Sequence, residues 1–196
     1  MWYYIKQAFL PFIYLIFMAM ISLSILMIEI LWLKVVLNIA CIGLYLLVVC
    51  AASFKEGQDA LKVRIANDLE RREIIRTGEN RPLKLKQEYK SWKGFLSGLI
   101  ACAPLVILLI IHSILMLIDP SMNGAGAISG LIYAMFYVFA GFIFGAFQWW
   151  HYYISLIALI IIPLGTGIPY ILGARKIERQ QQVIKNKQRQ IYGEEI

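Results

Sequence analysis

Charged residues are scarce in this sequence, which has 16% Asp, Glu, Lys and Arg against 60% hydrophobic residues and a mean hydropathy of +0.69. Soluble domains carry about 25% charged residues, so this composition excludes an ordinary soluble globular protein. Apolar runs of about 18 residues or more are typical of membrane spans. We therefore predict an all-α integral membrane protein, with apolar runs at about 8–28, 35–54, 95–118, 128–147 and 153–173.

Cysteine and histidine are also rare, with three and two residues respectively. All three cysteines lie inside apolar runs, without the spacings of a metal site or a disulfide framework. The sequence contains no P-loop, no H-E-x-x-H and no G-x-S-x-G motif, and the glycines at 124–130 lack the spacing and the preceding strand of a dinucleotide site. We therefore predict no cofactor, no metal ligand and no catalytic residue, and favour a non-catalytic role over an enzyme.

Basic residues are concentrated in two segments, because 11 of the 19 Lys and Arg lie in 55–93 and 6 lie in 175–196. Both segments adjoin apolar runs, and their basic residues are interleaved with acidic ones without a nucleic-acid-binding motif. Cytoplasmic loops of membrane proteins carry an excess of Lys and Arg and face anionic lipid headgroups. The pattern predicts a multi-pass protein of the cell membrane with both termini in the cytoplasm, bound to lipid and not to nucleic acid.

Two cytoplasmic segments require an even number of crossings between them, although hydropathy offers three apolar runs there. The run 128–147 is the weakest, since it contains three glycines and seven aromatic residues. A break near Ala140 and Gly141 would leave pieces of about 10–14 residues, the length of re-entrant or interfacial helices. We therefore predict four transmembrane helices with a re-entrant or interfacial segment at 128–150. The alternative is five transmembrane helices with the tail outside.

The charge and hydropathy patterns divide the chain into four parts. We predict an N-terminal transmembrane hairpin (1–54), a cytoplasmic basic helical segment (55–93), a C-terminal membrane region (94–173) and a cytoplasmic basic tail (174–196). Ile177, Ile184 and Ile191 recur every seven residues in the tail, which we expect to be a helix that docks on 55–93.

The segment 55–93 begins with a helical pattern. Leu61, Ile65 and Leu69 recur every four residues, and Asp68 and Arg72 have the spacing of an i,i+4 ion pair. This apolar face has two alternative positions, on lipid headgroups or on another helix. The segment itself has a further alternative, a continuous extension of the second span into the cytoplasm.

Small residues and prolines mark expected helix contacts in the membrane. Gly94 and Gly98 are four residues apart, a spacing that lets helix backbones approach closely. The sequence PLGTGIP at 163–169 has two interpretations, a packing kink or a local unwinding that lines a cavity, and we favour the kink because proline and glycine are ordinary in membrane helices.

Few polar side chains are candidates for a site. His112 and Asp119 are seven residues apart on one helix face and form a candidate proton relay or cation site, although a boundary histidine beside a helix end is the favoured interpretation. Thr166 is a candidate cavity residue within 163–169. Three tryptophans are expected at the lipid–water interface, namely Trp92, Trp149 and Trp150.

Two stretches of this chain, YKSWKGFLSGLIACAP (89–104) and PLGTGIPYILGARK (163–176), carry a resemblance. They resemble an uncharacterised family of small multi-span membrane proteins of low-GC Gram-positive bacteria (Firmicutes). Asp59 also fits the family pattern, whereas the polar stretch around 66–86 departs from it. The resemblance implies architecture without an activity. The matching positions are Tyr89, Lys93, Gly94, Gly98, Leu99, Ala101, Pro104, Pro163, Gly167, Tyr170, Leu172 and Gly173.

Two functions remain open from the sequence. The first is a non-catalytic membrane subunit or scaffold that binds a protein partner through 55–93 and 175–196. The second is a small-solute carrier or substrate-binding subunit with a site near 163–169 and the glycine-rich region 124–145. The carrier requires a cavity on which polar groups such as Thr166 and His112 converge.

Overall fold

The computed structural model describes residues 2–78, 82–83, 87–144 and 148–192. Four stretches of helix in it are long and apolar enough to cross a membrane, and one further helix pair is sharply bent. This is a multi-span membrane protein, and the predicted all-α fold with four long helices and a re-entrant-like segment is confirmed. The elements are α1 (Trp2–Leu26), α2 (Leu31–Thr77), α3 (Lys93–Ile118), α4 (Gly124–Ile132), α5 (Ala134–Phe144), a 3₁₀ helix (Trp149–Ile157) and α6 (Ala158–Tyr192).

Helix α2 is one unbroken helix of 47 residues. At 1.5 Å per residue it is about 70 Å long, more than twice the roughly 30 Å of a bilayer's hydrocarbon core. It ends at Gly78, whose φ of 75° is left-handed and whose N–H bonds the carbonyl of Ile74 at 2.8 Å. The predicted helix at the start of 55–93 is therefore a continuous extension of the second span, up to Thr77.

Helix α6 continues beyond its apolar run in the same way, up to Tyr192. We call residues 55–77 of α2 and 174–192 of α6 the two-helix extension. Side chains from 65–72 of α2 and 181–188 of α6 line a common groove, so both extensions lie at the same end of the helix bundle. An even number of crossings therefore separates them, and the α4–α5 pair is not a complete span.

Helices α4 and α5 meet at an angle of 112°. The break lies at Tyr133, and α5 runs through Ala140 and Gly141, so the predicted break position was wrong. Tyr133 is fully buried, and its hydroxyl donates to the carbonyl of Ala101 on α3 at 3.1 Å. Packing of this aromatic anchor decides the break, whereas glycine is tolerated inside a buried helix.

Two consecutive hydrogen bonds join the bent α4–α5 pair to the hairpin of α1 and α2. The hydroxyl of Ser22 on α1 donates to Asn38 Oδ1 on α2 at 2.5 Å, and Asn38 Nδ2 donates to the carbonyl of Met135 on α5 at 3.0 Å. Both polar side chains are fully buried. Because lipid offers no competing partners for polar groups, these two hydrogen bonds fix the position of α5 against α1 and α2.

Helices α2 and α6 touch backbone to backbone where their apolar runs end. A Cβ atom placed on Gly57 would lie 1.9 Å from the carbonyl oxygen of Tyr170, and one on Gly173 would lie 2.0 Å from the carbonyl oxygen of Phe54. Only glycine fits at either position, because real Cβ atoms do not approach other atoms below about 3 Å.

The predicted close approach at Gly94 and Gly98 is confirmed. A Cβ on Gly94 would lie 2.6 Å from Cβ of Tyr170, and one on Gly98 would lie 2.4 Å from Oγ1 of Thr166. Helix α3 therefore packs on α6 along its glycine face, as small residues four apart allow in lipid.

The proline-rich part of α6 remains helical, which contradicts a local unwinding of 163–169. Pro169 has no N–H for the carbonyl of Gly165, and the thiol of Cys50 on α2 approaches that oxygen at 3.3 Å. The hydroxyl of Thr166 donates to the carbonyl of Ile162 at 3.1 Å. The side chain of Cys50 on the neighbouring helix thus satisfies the carbonyl that Pro169 leaves open.

Candidate functional site

The two-helix extension contains a groove outside the apolar part of the bundle. Because α2 and α6 touch at Gly57 and Gly173 and then separate, a space of about 440 Å³ opens between them further along. The groove is lined by Ile65, Asp68, Leu69, Arg72, Gln181, Ile184, Lys185 and Gln188.

The apolar residues that line this groove belong to the two repeats noted in the sequence, Ile65 and Leu69 on α2 and Ile184 on α6. Ile65 is half-buried, whereas Leu69 is 61% exposed and Ile184 is 56% exposed. On α2, Leu69 lies 15 residues beyond residue 54, the end of the apolar run, which is about 22 Å along a straight helix. Leu69 and Ile184 are therefore mostly uncovered by the described part of the chain, and Leu69 lies well beyond the apolar run of its helix.

The loop before α3 braces this extension. Asn67 Nδ2 and Arg71 Nη2 both donate to Oε1 of Glu88, at 2.7 and 2.6 Å, and Arg71 Nη1 donates to Asp68 at 2.7 Å. The predicted ion pair of Asp68 with Arg72 was wrong, because Arg71 points toward the loop and bridges both carboxylates. Arg72 lines the groove.

Tyr89 attaches the same loop to both long helices. Its backbone N–H bonds the carbonyl of Ala60 on α2 at 3.0 Å, and its ring stacks on Tyr170 of α6 with centroids 5.5 Å apart. Burial, and secondarily the charge of Glu178, raises the pKa of the Tyr89 hydroxyl above its ordinary value. The base of the extension is therefore a rigid unit of α2, the loop and α6.

A buried cation lies at the start of α3. Lys93 is 1% exposed, its Nζ donates to the carbonyl of Glu88, and the rings of Tyr3 and Tyr4 are 5.5 and 5.8 Å from it. Trp92, one of the tryptophans expected at the interface, is exposed and stacks on Tyr4 at 6.0 Å. The sequence did not single out Lys93 for burial, because a lysine beside an apolar run is usually an exposed membrane-boundary residue.

Gln7 and Glu56 join α1 to α2. Gln7 is buried, and its Nε2 donates to Oε2 of Glu56 at 2.7 Å. Burial raises the pKa of the Glu56 carboxyl above its ordinary value; the hydrogen bond from Gln7 opposes this rise, and the charge of Asp59 adds to it. Glu56 was not a sequence candidate, since a single acid after an apolar run carries no pattern.

The raised pKa of Glu56 predicts a pH dependence. A carboxyl whose folded pKa lies above its unfolded value stabilises the fold most at low pH and loses that contribution as pH rises through the folded pKa. We expect Glu56→Gln to be more thermostable than wild type at pH 8, with a difference that shrinks towards pH 4.5, the ordinary carboxyl pKa. Thermal unfolding in detergent between pH 4 and 8 measures this. A Glu56→Gln protein that is less stable than wild type at pH 8 contradicts it.

At the opposite end of the bundle, His112 and Asp119 do not form a site together. His112 is fully buried against Tyr152, with ring centroids 5.4 Å apart, and against Gly126 of α4. Among the described residues neither of its ring nitrogens has a hydrogen-bond partner. Asp119 ends α3 and accepts the N–H and the hydroxyl of Ser121 at 2.9 and 2.8 Å, which lowers the pKa of its carboxyl.

Thr166 and His112 do not converge on one cavity. Thr166 packs on Gly98, fourteen residues before His112 on α3, which is about 21 Å along the helix. The hydroxyl of Thr166 is satisfied within its own helix. The arrangement that a carrier requires is therefore not formed by these two residues.

The aromatic cluster after the bent pair forms the 3₁₀ helix that leads into α6. Trp149 and Trp150 are exposed, and the ring of Trp149 meets that of Tyr153 edge-to-face at 6.2 Å. This end is opposite to the two-helix extension, and its place at the lipid–water interface stays a prediction.

Comparison with protein-family models, with curated proteins and with solved structures finds no match to this chain. The resemblance in 89–104 and 163–176 thus stays a prediction.

Proposed function

We propose that this chain is a non-catalytic subunit or scaffold of a membrane assembly, which binds a protein partner in the groove of its two-helix extension. The observation that carries the proposal is the exposure of Leu69 and Ile184 in that groove. Apolar side chains clustered on a surface outside the bilayer favour a protein contact, since scattered single residues are ordinary but grouped ones mark interaction sites.

The chemistry of the groove indicates the kind of partner. Its apolar floor is flanked by charges of both signs, from Asp68 on α2 and from Arg72 and Lys185. An amphipathic helix with an apolar stripe and mixed flanking charges fits such a surface, because helices bind in grooves through residues three and four positions apart. The braced base of the extension supports this role, because a preformed groove costs little ordering on binding.

The orientation that we propose puts the extension in the cytoplasm. The Lys and Arg of 55–93 and 175–196 outnumber those of all other segments, and such an excess marks the cytoplasmic side. The termini are then cytoplasmic, the membrane is the cell membrane, and anionic headgroups of the inner leaflet attract both segments.

The carrier function finds less support in this geometry. Thr166 of α6 packs on Gly98, which lies about 21 Å along α3 from His112, and the two candidate residues contact different neighbours. Helix α6 is continuous through 163–169, so it presents no unwound backbone for a solute. We therefore favour the subunit over the carrier.

The test is purification from the native host in mild detergent, followed by mass spectrometry of the proteins that accompany the chain. We compare wild type with Leu69→Glu/Ile184→Glu, and the matched control is Ile75→Glu/Ile191→Glu. The control places the same charges on exposed isoleucines of the same two helices, outside the residues that line the groove.

The proposal predicts a stoichiometric partner with wild type and with the control, and recovery reduced by about tenfold or more with the groove variant, because buried apolar anchors contribute about 2 kcal/mol or more each. A photocrosslinker at Leu69 should capture that partner, and one at Ile75 should not. Absence of a stoichiometric partner, or equal loss with both double variants, contradicts the proposal.

A further inference from the structure

A second cavity, of about 660 Å³, lies along one face of α6 just beyond its apolar run. Its described lining residues recur at helical spacing and therefore face the same way. They are Leu172, Arg175, Lys176, Arg179, Gln180, Val183 and Ile184, so three cations and no carboxylate line this cavity among the described residues.

Two basic residues of the extension have salt-bridge partners among the described residues, and the three cations of this cavity are not among them. Within the described ranges, salt bridges join Lys62 to Asp59, and Arg71 to Asp68 and Glu88. No salt bridge within those ranges involves Arg175, Lys176 or Arg179. Unpaired cations that converge on one cavity form a site for an anion, because charge-assisted bonds to phosphate oxygens are short and strong.

The position of the cavity identifies the source of that anion. Gly173 contacts Phe54, so the apolar runs of α2 and α6 end at the same height. Arg175 and Lys176 follow within one turn, which puts their charges at the depth of lipid headgroups when both runs lie in the hydrocarbon. The Nζ of Lys176 also lies 5.7 Å from the centre of the Phe54 ring on α2, and this cation–π contact orients the lysine side chain.

We propose that Arg175, Lys176 and Arg179 form a binding site for the phosphate headgroup of an anionic phospholipid, with its acyl chains along the apolar face that begins at Leu172. Guanidinium groups bind phosphate through two parallel hydrogen bonds, and lysine adds a point charge. Basic pockets at the headgroup level of membrane helices bind anionic lipids in this way. The inference rests on the lipid contact proposed above and names its site; it does not depend on the protein partner.

The experiment titrates the purified full chain in detergent with phosphatidylglycerol and follows thermal stability. Phosphatidylcholine tests the need for negative charge, and glycerol phosphate tests whether a soluble phosphate suffices. The site variant is Lys176→Gln/Arg179→Gln. Its matched control is Lys55→Gln/Arg64→Gln, which removes one exposed Lys and one exposed Arg from the same extension outside the cavity.

We expect phosphatidylglycerol to raise the melting temperature of wild type, and phosphatidylcholine and glycerol phosphate to have little effect. The phosphatidylglycerol concentration that gives half of the rise in melting temperature should increase about tenfold or more in the site variant. Each cation near the headgroups changes the lipid affinity by a factor of about five. The control variant should respond like wild type.

Equal weakening of both variants, or of neither, overturns the site, because the attraction then belongs to general surface charge. A response to glycerol phosphate as large as that to lipid overturns the lipid as its occupant, and so does an equal response to phosphatidylcholine. Because only purified chain is present, these outcomes are separate from those of the partner experiment.

Discussion

Replacement of Gly57 by alanine is expected to lower the unfolding free energy of this protein by about 3 kcal/mol, the upper part of the usual cost of overpacking. The added Cβ would lie 1.9 Å from the carbonyl oxygen of Tyr170, and that atom belongs to backbone that cannot rotate away. The two helices must separate, and the groove that begins at this contact must change with them. Unfolding by sodium dodecyl sulfate in mixed micelles measures the effect.

Gly43→Ala is the matched control, because Gly43 is in the same helix and a Cβ there meets nothing within 4 Å. Alanine is the better helix former by about 0.5–1 kcal/mol, so Gly43→Ala should leave stability unchanged or raise it. Gly173→Ala should behave like Gly57→Ala, since its Cβ would lie 2.0 Å from the Phe54 carbonyl oxygen. Similar stabilities of the Gly43 and Gly57 variants would refute the backbone contact.

Replacement of Asn38 by leucine is expected to cost about 2 kcal/mol and to loosen the α4–α5 pair from the first hairpin. The variant removes the acceptor of the Ser22 hydroxyl and the donor to the Met135 carbonyl, both buried in the bundle. Hydrogen bonds between membrane helices contribute about 0.6–2 kcal/mol each. The same unfolding assay gives the stability, and protease accessibility of α5 reports the local effect.

Two serines of α1 form a matched pair of test and control for these hydrogen bonds. Ser22 donates to Asn38, whereas Ser24 is exposed and donates to the carbonyl of Met20 in its own helix. Ser22→Ala should therefore lower stability, and Ser24→Ala should not. An Asn38→Leu protein as stable as wild type, with α5 equally protected, contradicts a role of Asn38 in seating the bent pair.

The number and direction of the long helices could be predicted from the sequence because they depend on local quantities. Apolar run length decides whether a helix can cross the bilayer, and the Lys and Arg bias decides which segments share a side. An odd number of apolar runs between two basic segments therefore predicts that 128–147 is an incomplete span. The glycine pair Gly94 and Gly98 likewise identified a packing face from spacing alone.

Other features depended on which surfaces meet in three dimensions. The bend falls at Tyr133 and not at Gly141, because a buried tyrosine bonded to Ala101 outweighs local glycine propensity. Arg71 and not Arg72 pairs with Asp68, because the loop brings Glu88 to the same side. No local pattern encodes either choice.

For this protein, composition and periodicity were sufficient to predict an all-helical membrane protein with four long apolar helices and two basic segments, since hydropathy and charge act through the bilayer and need no tertiary contact. The structure alone decided the groove between α2 and α6, the buried Lys93 and the unpaired cations of the α6 cavity. These features arise where residues far apart in sequence meet. The groove, for example, begins where Gly57 and Gly173 let α2 and α6 touch, and residue type and spacing do not specify that contact.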